Sequence, residues 1–241
     1  MNEINNTRAA LDAALSRLNL DVDQSKRDLL LRHLALLFEK NRVLNLTRID
    51  SLEDAVVLHI EDSLSIYPEF QKTEGRFCDI GTGGGFPGLP LGIVSGRPGI
   101  LLDSVKKKAK AVDEFINALG LSGTLQSRGM RSEELALEMP ASFSCVVARA
   151  VSSLAAVEEL ACPLLEFGGS LIAMRGTEIA EDLEAASAAA DVLGLELVEQ
   201  RSFSIGDGRA SRSVYRYQRV RESQKKLPRR PGMAQKKPLG Y

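Results

Sequence analysis

The chain has 241 residues, 44% of them hydrophobic, enough to bury a substantial core in one large α/β domain with a small appendage. The region around Met1 lacks a signal-peptide pattern, and no apolar run reaches the ~18 residues of a membrane span. We therefore expect a cytoplasmic protein without membrane contact. The sequence leaves the oligomeric state open, and because nothing in it suggests an obligate oligomer we expect a monomer. Because the chain has two histidines and three widely spaced cysteines, Cys78, Cys145 and Cys162, we expect buried thiols and no metal site.

Charge is divided unevenly along the chain, although the net charge is −1. Residues 212–241 contain ten Lys and Arg against one acid, whereas residues 1–211 contain twenty-one against thirty-one. Such a basic tail is either a solvated, disordered end or a segment that binds phosphates by displacing their counterions.

Helical spacing of apolar residues predicts helices over 3–19 and 23–40, the second capped by Asp21 or Asp23. A third helix is predicted over 51–67, ending before Pro68. Together these helices predict an N-terminal helical cap over residues 1–70.

From Arg76 onward, short apolar runs alternate with longer amphipathic segments, which is typical of a doubly wound, mostly parallel sheet covered on both faces. After a helix at 178–193, two strands joined by Gly206-Asp207-Gly208 predict an antiparallel hairpin. We expect a core over 71–220 and a basic tail containing Pro and Gly over 221–241. The predicted strands are 76–80, 100–103, 124–127, 143–148, 169–174, 195–203 and 211–220.

A glycine-rich loop follows the first predicted strand as Asp79-Ile80-Gly81-Thr82-Gly83-Gly84-Gly85. Glycines let the backbone approach a ligand where a side chain would collide. Gly83, Gly85 and Gly88 also satisfy the G-x-G-x-x-G spacing of nicotinamide-dependent enzymes. However, counted from Gly81 the third glycine falls on Phe86, and a carboxylate at Asp79 repels a pyrophosphate but attracts the ammonium and sulfonium of S-adenosylmethionine. The charge argument favours the methyl donor.

Three further strand ends carry candidate ligand contacts. Asp103 closes the second strand, where a ribose diol is held, and it could at the same time cap the following helix. Gly129 and Met130 follow the third strand and could flank an adenine ring, with Met130 as core filler the alternative. Arg149 ends the fourth strand and places a cation at the edge where open α/β sheets bind ligands.

These motifs together resemble the glucose-inhibited division B family, the RsmG methyltransferases that modify N7 of a guanine in bacterial small-subunit (16S) ribosomal RNA. The resemblance covers nearly the whole chain. It rests on Asn45-Leu46-Thr47, His59 with Asp62-Ser63, the loop from Asp79 through Pro87-Gly88, Leu101-Leu102-Asp103-Ser104, Ser127-Arg128, Arg149-Ala150, and the tail Pro228-Arg229-Arg230-Pro231-Gly232 with Lys236-Lys237-Pro238-Leu239.

The resemblance implies a class I methyltransferase sheet of seven strands with a small helical cap. It also implies S-adenosylmethionine contacts at Gly81, Phe86, Gly129, Met130 and Arg149, to which we add Gly83. The chain departs from the family pattern at Met130, where many relatives carry an acid. It departs again at Met174-Arg175-Gly176, where relatives commonly carry Leu-Lys-Gly. Arg keeps the positive charge of Lys there but presents a planar fork.

Guanine N7 has a free lone pair, so attack on a sulfonium methyl needs no catalytic base, and positioning and exclusion of water should dominate. We hypothesise that Asp79 and Asp103 hold the two ends of the donor. Arg149 and Arg175 are placed near a substrate phosphate or the guanine O6 as catalytic residues.

Substrate contacts are expected from the cap and the tail. Asn45 and His59 either belong to the cap core or lie over the donor pocket and contact the RNA base. The cations Arg229, Arg230, Lys236 and Lys237 are candidates for RNA phosphate contacts, with ribosomal RNA or the 30S subunit as partner. A nicotinamide-dependent oxidoreductase, a non-catalytic ribosome-binding protein, and a methyltransferase acting on a protein or small molecule are the competing interpretations.

Overall fold

A computed structural model describes residues 2–176 and 180–240 of the chain. Its centre is a seven-stranded sheet of order β3-β2-β1-β4-β5-β7-β6. Strands β1 to β5 run parallel, while β7 is antiparallel to both β5 and β6. This confirms the predicted fold class with its terminal hairpin. The strands are β1 Phe77–Ile80, β2 Gly99–Leu102, β3 Leu125–Arg128, β4 Phe143–Arg149, β5 Leu165–Arg175, β6 Leu195–Ile205 and β7 Ala210–Arg219.

Helices connect and cover these strands. The predicted start of the helix at 178 lies outside the described residues, and that helix is seen from Ala180. The α-helices are α1 Asn2–Arg17, α2 Gln24–Asn41, α3 Leu52–Ala55, α4 Asp62–Leu64, α5 Tyr67–Phe70, α6 Gly88–Ser95, α7 Lys106–Ala118, α8 Ser132–Glu138, α9 Leu154–Ala161, α10 Ala180–Leu193 and α11 Met233–Lys236.

Alternate residues along each strand enter two different hydrophobic clusters, because successive side chains point to opposite faces of a sheet. On β4, Cys145 and Val147 join the cluster formed with α1, α2, α6 and α7, whereas Val146 and Ala148 join the one formed with α8, α9 and α10. Cys78, Cys145 and Cys162 are buried and free, as predicted.

The amino-terminal helices pack against the first of these faces and share its core. Asp23 is the N-cap of α2, and its side chain accepts from the Lys26 amide. The predicted helix over 51–67 differs from the structure: α3 passes into a π-helix over Val56–Glu61 and then into α4. Pro68 lies within the first turn of α5, where a missing amide hydrogen costs no helical bond.

The carboxyl-terminal tail is folded back against the helices α8, α9 and α10. Ala234 of α11 is buried in the second cluster, and Leu227 and Leu239 pack against it. The alternative of a disordered end therefore does not describe residues 221–240. The described residues include no helix long and apolar enough to cross a membrane.

Candidate functional site

The strand order reverses at β1, because β2 and β3 lie on one side of it and β4 and β5 on the other. In an open α/β sheet such a reversal leaves a crevice at the carboxyl ends of the strands, where ligands bind. The glycine loop after β1 and the segment after Arg149 of β4 therefore lie on the two sides of this crevice.

Two carboxylates hold the glycine loop in shape. The Asp103 Oδ2 accepts a hydrogen bond of 3.0 Å from the Gly83 amide, and its Oδ1 accepts one of 2.8 Å from Val105. The Asp79 Oδ2 accepts one of 2.8 Å from the Gly88 amide. Gly81 and Gly83 have φ of +74° and +59°, which favour glycine, so the loop needs these residues to keep its path.

Asp79 lies beneath the loop and is fully buried. Burial raises the pKa of its carboxyl to about 6, and hydrogen bonding by Thr82 and Gly88 opposes this rise. A side chain in this position acts on a ligand through its field and through the shape of the loop. Direct contact with the donor, the sequence-based hypothesis for Asp79, stays a prediction.

A cleft beside Gly81 at the ends of β1 and β2 is the candidate donor site, called the donor cleft below. Its walls combine apolar and polar side chains: Ile80, Leu102, Ser104, Met130, Arg131, Ser132, Glu133, Val151, Leu160 and Gln235. The free volume is about 60 Å³, whereas ligand pockets typically hold roughly 300–1,000 Å³. Val151 packs closely on Gly81, since a Cβ on Gly81 would lie 2.8 Å from the Val151 Cγ2.

The residues of the donor cleft fit a nucleoside donor in their chemistry, although the cleft is narrower than such a ligand. Apolar Ile80 and Leu102 suit a purine, and the backbone around Gly83 is open, since a Cβ there would meet only the Gly81 carbonyl at 4.0 Å. Met130 lines this cleft, and its contact with the adenine ring stays a prediction. Gly129 does not line it; a Cβ at Gly129 would lie 3.2 Å from the Lys106 Cα, so close packing of α7 explains this glycine.

Phe86 lies between two imidazole rings. Its ring centroid is 4.3 Å from that of His59 and 4.6 Å from that of His33, both in stacked geometry. Phe86 as a whole is 3% exposed, so its ring is enclosed by these contacts, and its contact with the donor stays a prediction. The stack joins α2 and the π-helix of the cap to the glycine loop, where the His33 Nε2 also donates to the Gly84 carbonyl at 2.9 Å.

The hydrogen bonds of His59 define its protonation. An Arg149 Nη2 lies 3.4 Å from Nδ1 and can only donate, so Nδ1 accepts and Nε2 carries the hydrogen shared with Thr47 Oγ1 at 2.8 Å. Burial, followed by the charge of Arg149, lowers the pKa of His59 to about 3. His59 is therefore neutral at physiological pH and is not available as a catalytic base.

A second cavity of about 450 Å³ lies between the π-helix and the ends of β4, β5 and β7. Asp62, 2% exposed, is its central acid. The Asp62 Oδ2 accepts from Arg149 Nη1 at 2.9 Å, and Oδ1 accepts from Arg212 Nε at 2.8 Å. Two guanidinium groups around one carboxylate leave a net positive charge and several free N–H donors at this cavity, which we call the arginine cavity.

Arg175 lies at the rim of the arginine cavity, held by the Asp182 carboxylate at 2.5 Å and by the Ser152 carbonyl. His59 lines the same cavity. Asn45 is exposed in the loop after α2 and does not line it. The structure thus brings together Arg149, Arg175 and His59, while Asn45 stays a prediction from sequence.

The tail cations divide into two groups. Arg229 pairs with the buried Glu159 of α9, its Nε donating at 2.6 Å, so binding an RNA phosphate would require breaking this pair. Arg230, Lys236 and Lys237 are exposed and form no ion pair with the described part of the chain, so they are free to contact a polyanion.

Sequence reasoning did not assign Asp62, Arg212 or Gln235 to the site. Asp62 was visible in the His-x-x-Asp-Ser motif, which could have identified it. No signal separates Arg212 from Arg216, which lies on the same face of β7 but pairs with Glu199 at 3.0 Å. Among the described residues, no cluster of three or more potential metal ligands occurs.

Comparison with known proteins identifies the fold and the family of this chain. A solved S-adenosylmethionine-dependent O-methyltransferase from Thermotoga maritima superposes with a TM-score of 0.52 at 14% identity, covering 78% of this chain and 73% of that one. It supports the fold alone. Proteins called ribosomal RNA small subunit methyltransferase G are 34% identical in Clostridium novyi, covering 95% of this chain and 96% of the relative, and 36% identical in Lachnoclostridium phytofermentans, covering 93% and 94%. Because residues 26–214 also match the GidB family, described as rRNA small subunit methyltransferase G, the chain belongs to that family.

Proposed function

We propose that this chain methylates N7 of a guanine in small-subunit (16S) ribosomal RNA with S-adenosylmethionine as the donor. Family membership supports the reaction, and one structural observation supports where the donor and the guanine would bind. The donor cleft beside Gly81 and the arginine cavity flank the same segment after β4, from Arg149 to Val151. A donor in the first and a base in the second would meet at the crevice between β1 and β4.

When bound, S-adenosylmethionine supplies an electrophilic methyl on a sulfonium. The residues that would hold it are the backbone of Gly81 and Gly83, Met130, and Asp103 at the ribose position. Asp103 already accepts from Gly83 and Val105, and a carboxylate has lone pairs left for a ribose hydroxyl. The contact of each of these residues with the donor is a proposal.

The guanine substrate would lie in the arginine cavity. Arg149 and Arg212 are oriented by Asp62, so their remaining N–H groups can donate to O6 of the base or to a phosphate. They must leave N7 free, because the lone pair of N7 forms the new bond to carbon. The purine becomes positively charged as it accepts the methyl group. His59 is neutral and does not repel this charge, and the negative charge of Asp62 partly offsets the positive charge of the two guanidinium groups.

The nicotinamide-dependent and non-catalytic alternatives have no support in the comparisons. The test of the proposal is transfer of radiolabelled methyl from S-adenosylmethionine to small ribosomal subunits from cells lacking this protein, followed by nuclease mapping. We expect label at N7 of one guanine. Label on another atom, or none on subunits and deproteinised RNA, would contradict it.

A further inference from the structure

The carboxyl-terminal segment 228–240 is anchored to the core at several points. Arg229 pairs with Glu159, and the Gly232 amide donates to the Glu133 Oε1 at 2.7 Å. Ala234 is 2% exposed. At Gly240 a Cβ would lie 2.0 Å from the Ala185 carbonyl oxygen of α10, so the backbones touch. The segment is a fixed part of the structure.

This anchoring places Gln235, from α11, in the wall of the donor cleft. Gln235 shares the cleft with Ser104 and Met130, which follow β2 and β3. In a doubly wound sheet the ribose is held at the end of β2, here by Asp103, so the base extends beyond it toward the residues after β3. Gly232, three residues before Gln235, donates to Glu133 of α8, the helix after β3, so α11 reaches the side of the cleft that would take the purine.

We propose that Gln235 binds the adenine edge of the methyl donor, so that the tail is part of the cofactor site. The inference rests on the proposed function. A glutamine amide presents one acceptor oxygen and two donor hydrogens, and an adenine edge presents the complementary amino hydrogens beside a ring-nitrogen acceptor. Gln235 is exposed, and its side chain forms no hydrogen bond with the described residues. Contact with adenine would therefore break no existing hydrogen bond of this side chain.

Binding of S-adenosylhomocysteine, measured by titration calorimetry, tests the inference without turnover. The second ligand is the same molecule with a purine lacking the 6-amino group. Gln235→Ala removes the amide, and Gln71→Ala, at an exposed glutamine outside the cleft, is the matched control. A single neutral hydrogen bond corresponds to a roughly five- to tenfold change in Kd.

We expect the wild-type chain and Gln71→Ala to bind the adenine ligand about five- to tenfold more tightly than the analogue. Gln235→Ala should bind the adenine ligand more weakly than wild type and should no longer prefer it to the analogue. The substitution and the loss of the 6-amino group remove the same hydrogen-bonded contact, so their effects should not add. Equal affinity of Gln235→Ala and wild type, or a variant that keeps the full preference, would overturn the inference.

A chain lacking residues 228–241 is the second variant. If it unfolds at a temperature close to that of the wild type, its affinity should fall at least as far as that of Gln235→Ala; tighter binding would show that the tail obstructs the cleft and would overturn the inference. A wild-type chain that binds neither ligand would contradict the proposed function itself, an outcome distinct from a failure confined to Gln235.

Discussion

Asp62 shows how one side chain can organise a binding surface. Its side chain is buried, and its carboxylate accepts from Arg149 on β4 and Arg212 on β7, strands separated in the sheet by β5. A buried charge is tolerated only when it is paired and hydrogen-bonded, and two arginines meet this requirement. In turn, the arginines lose rotamer freedom before any substrate arrives, which favours binding.

Replacing Arg212 with Ala should weaken RNA methylation while sparing the donor. We expect kcat/KM for the ribosomal subunit to fall at least tenfold, since a charge-assisted hydrogen bond is worth roughly 1.5–3 kcal/mol. The Kd of S-adenosylhomocysteine should change less than about twofold, because Arg212 does not line the donor cleft. Arg209→Ala, on the same hairpin and paired with Asp54, is the control; an equal loss in both variants would contradict the assignment.

Glu158 of α9 predicts a pH dependence of stability. Burial raises the pKa of its carboxyl to about 9, against the lowering effect of Tyr217. A group whose pKa is raised on folding stabilises the protein fully below its unfolded pKa, near 4.5, and that contribution is lost as pH rises toward 9. The folded chain therefore carries Glu158 as a neutral acid at pH 7.

Glu158→Gln keeps the shape and removes the ionisation. We compare the free energy of unfolding of the variant with that of wild type at pH 5.5 and at pH 8.5, measured by urea denaturation. The difference, variant minus wild type, should be about 1–3 kcal/mol larger at pH 8.5 than at pH 5.5. Exposed Glu166, changed to Gln, is the control and should show no such pH-dependent difference. A gain that is equal at the two pH values would show that ionisation of Glu158 is not the cause.

At the level of secondary-structure elements, one carboxylate joins the cap to the hairpin. Glu61, at the end of the π-helix, accepts from Arg17 of α1 at 2.6 Å and from the Gly206 amide of the β6–β7 turn at 3.0 Å. Glu61 is 2% exposed, so Arg17 supplies most of the compensation for its burial. Three distant segments therefore depend on one ion pair.

Arg17→Ala should destabilise the fold by about 1–3 kcal/mol, because it leaves a buried carboxylate with one amide partner. The control is Arg8→Ala, also in α1, which removes an exposed ion pair with Asp28 of α2. It should lower the free energy of unfolding by at most about 1 kcal/mol. Chemical denaturation monitored by circular dichroism measures both. Equal losses in the two variants would show that burial of Glu61 does not matter.

The sheet was predictable because buried parallel strands have continuous apolar sequences bounded by turns. All seven strands were found, although β5 and β6 extend further than predicted, to Leu165–Arg175 and Leu195–Ile205. The break in the helix over 51–67 was missed, since a π-helix depends on tertiary packing rather than on residue spacing.

The candidate site was predictable where it follows strand ends. The loop at Gly81, Asp103 and Arg149 could be placed at one edge from the strand pattern alone. The tail could not, because its position depends on Arg229–Glu159, a pair 70 residues apart in the chain, and α11 is too short to show periodicity. The sequence predicts that its cations contact RNA, whereas the structure pairs Arg229 with Glu159.

Over the whole molecule, an acidic body carries a basic tail folded beside the donor cleft. Arg230, Lys236 and Lys237 are exposed there and form no ion pair with the described residues, so they can meet RNA phosphates. Phosphate contacts release counterions, so the logarithm of the RNA-binding constant falls as the logarithm of the salt concentration rises. Each lost contact makes this slope shallower by about 0.7 for single-stranded RNA.

The triple Ala variant of Arg230, Lys236 and Lys237 should therefore bind ribosomal RNA with a salt slope shallower by about 2, measured by filter binding from low to moderate salt. The control is the triple Ala variant of Arg8, Lys26 and Lys72, each paired with an acid in the fold. An unchanged slope in the tail variant would show that these cations do not contact phosphate.

The three buried thiols make this chain suitable for site-specific spectroscopy. Burial raises the pKa of Cys145 and of Cys162 to about 11 and also raises that of Cys78, so none forms an appreciable amount of thiolate at neutral pH. A fluorophore or spin label attached to a cysteine introduced on the surface would then report from one position. A pair of such labels, one on α11 and one on α7, would follow the tail's distance from the rest of the protein as cofactor and RNA bind, without removal of any native cysteine.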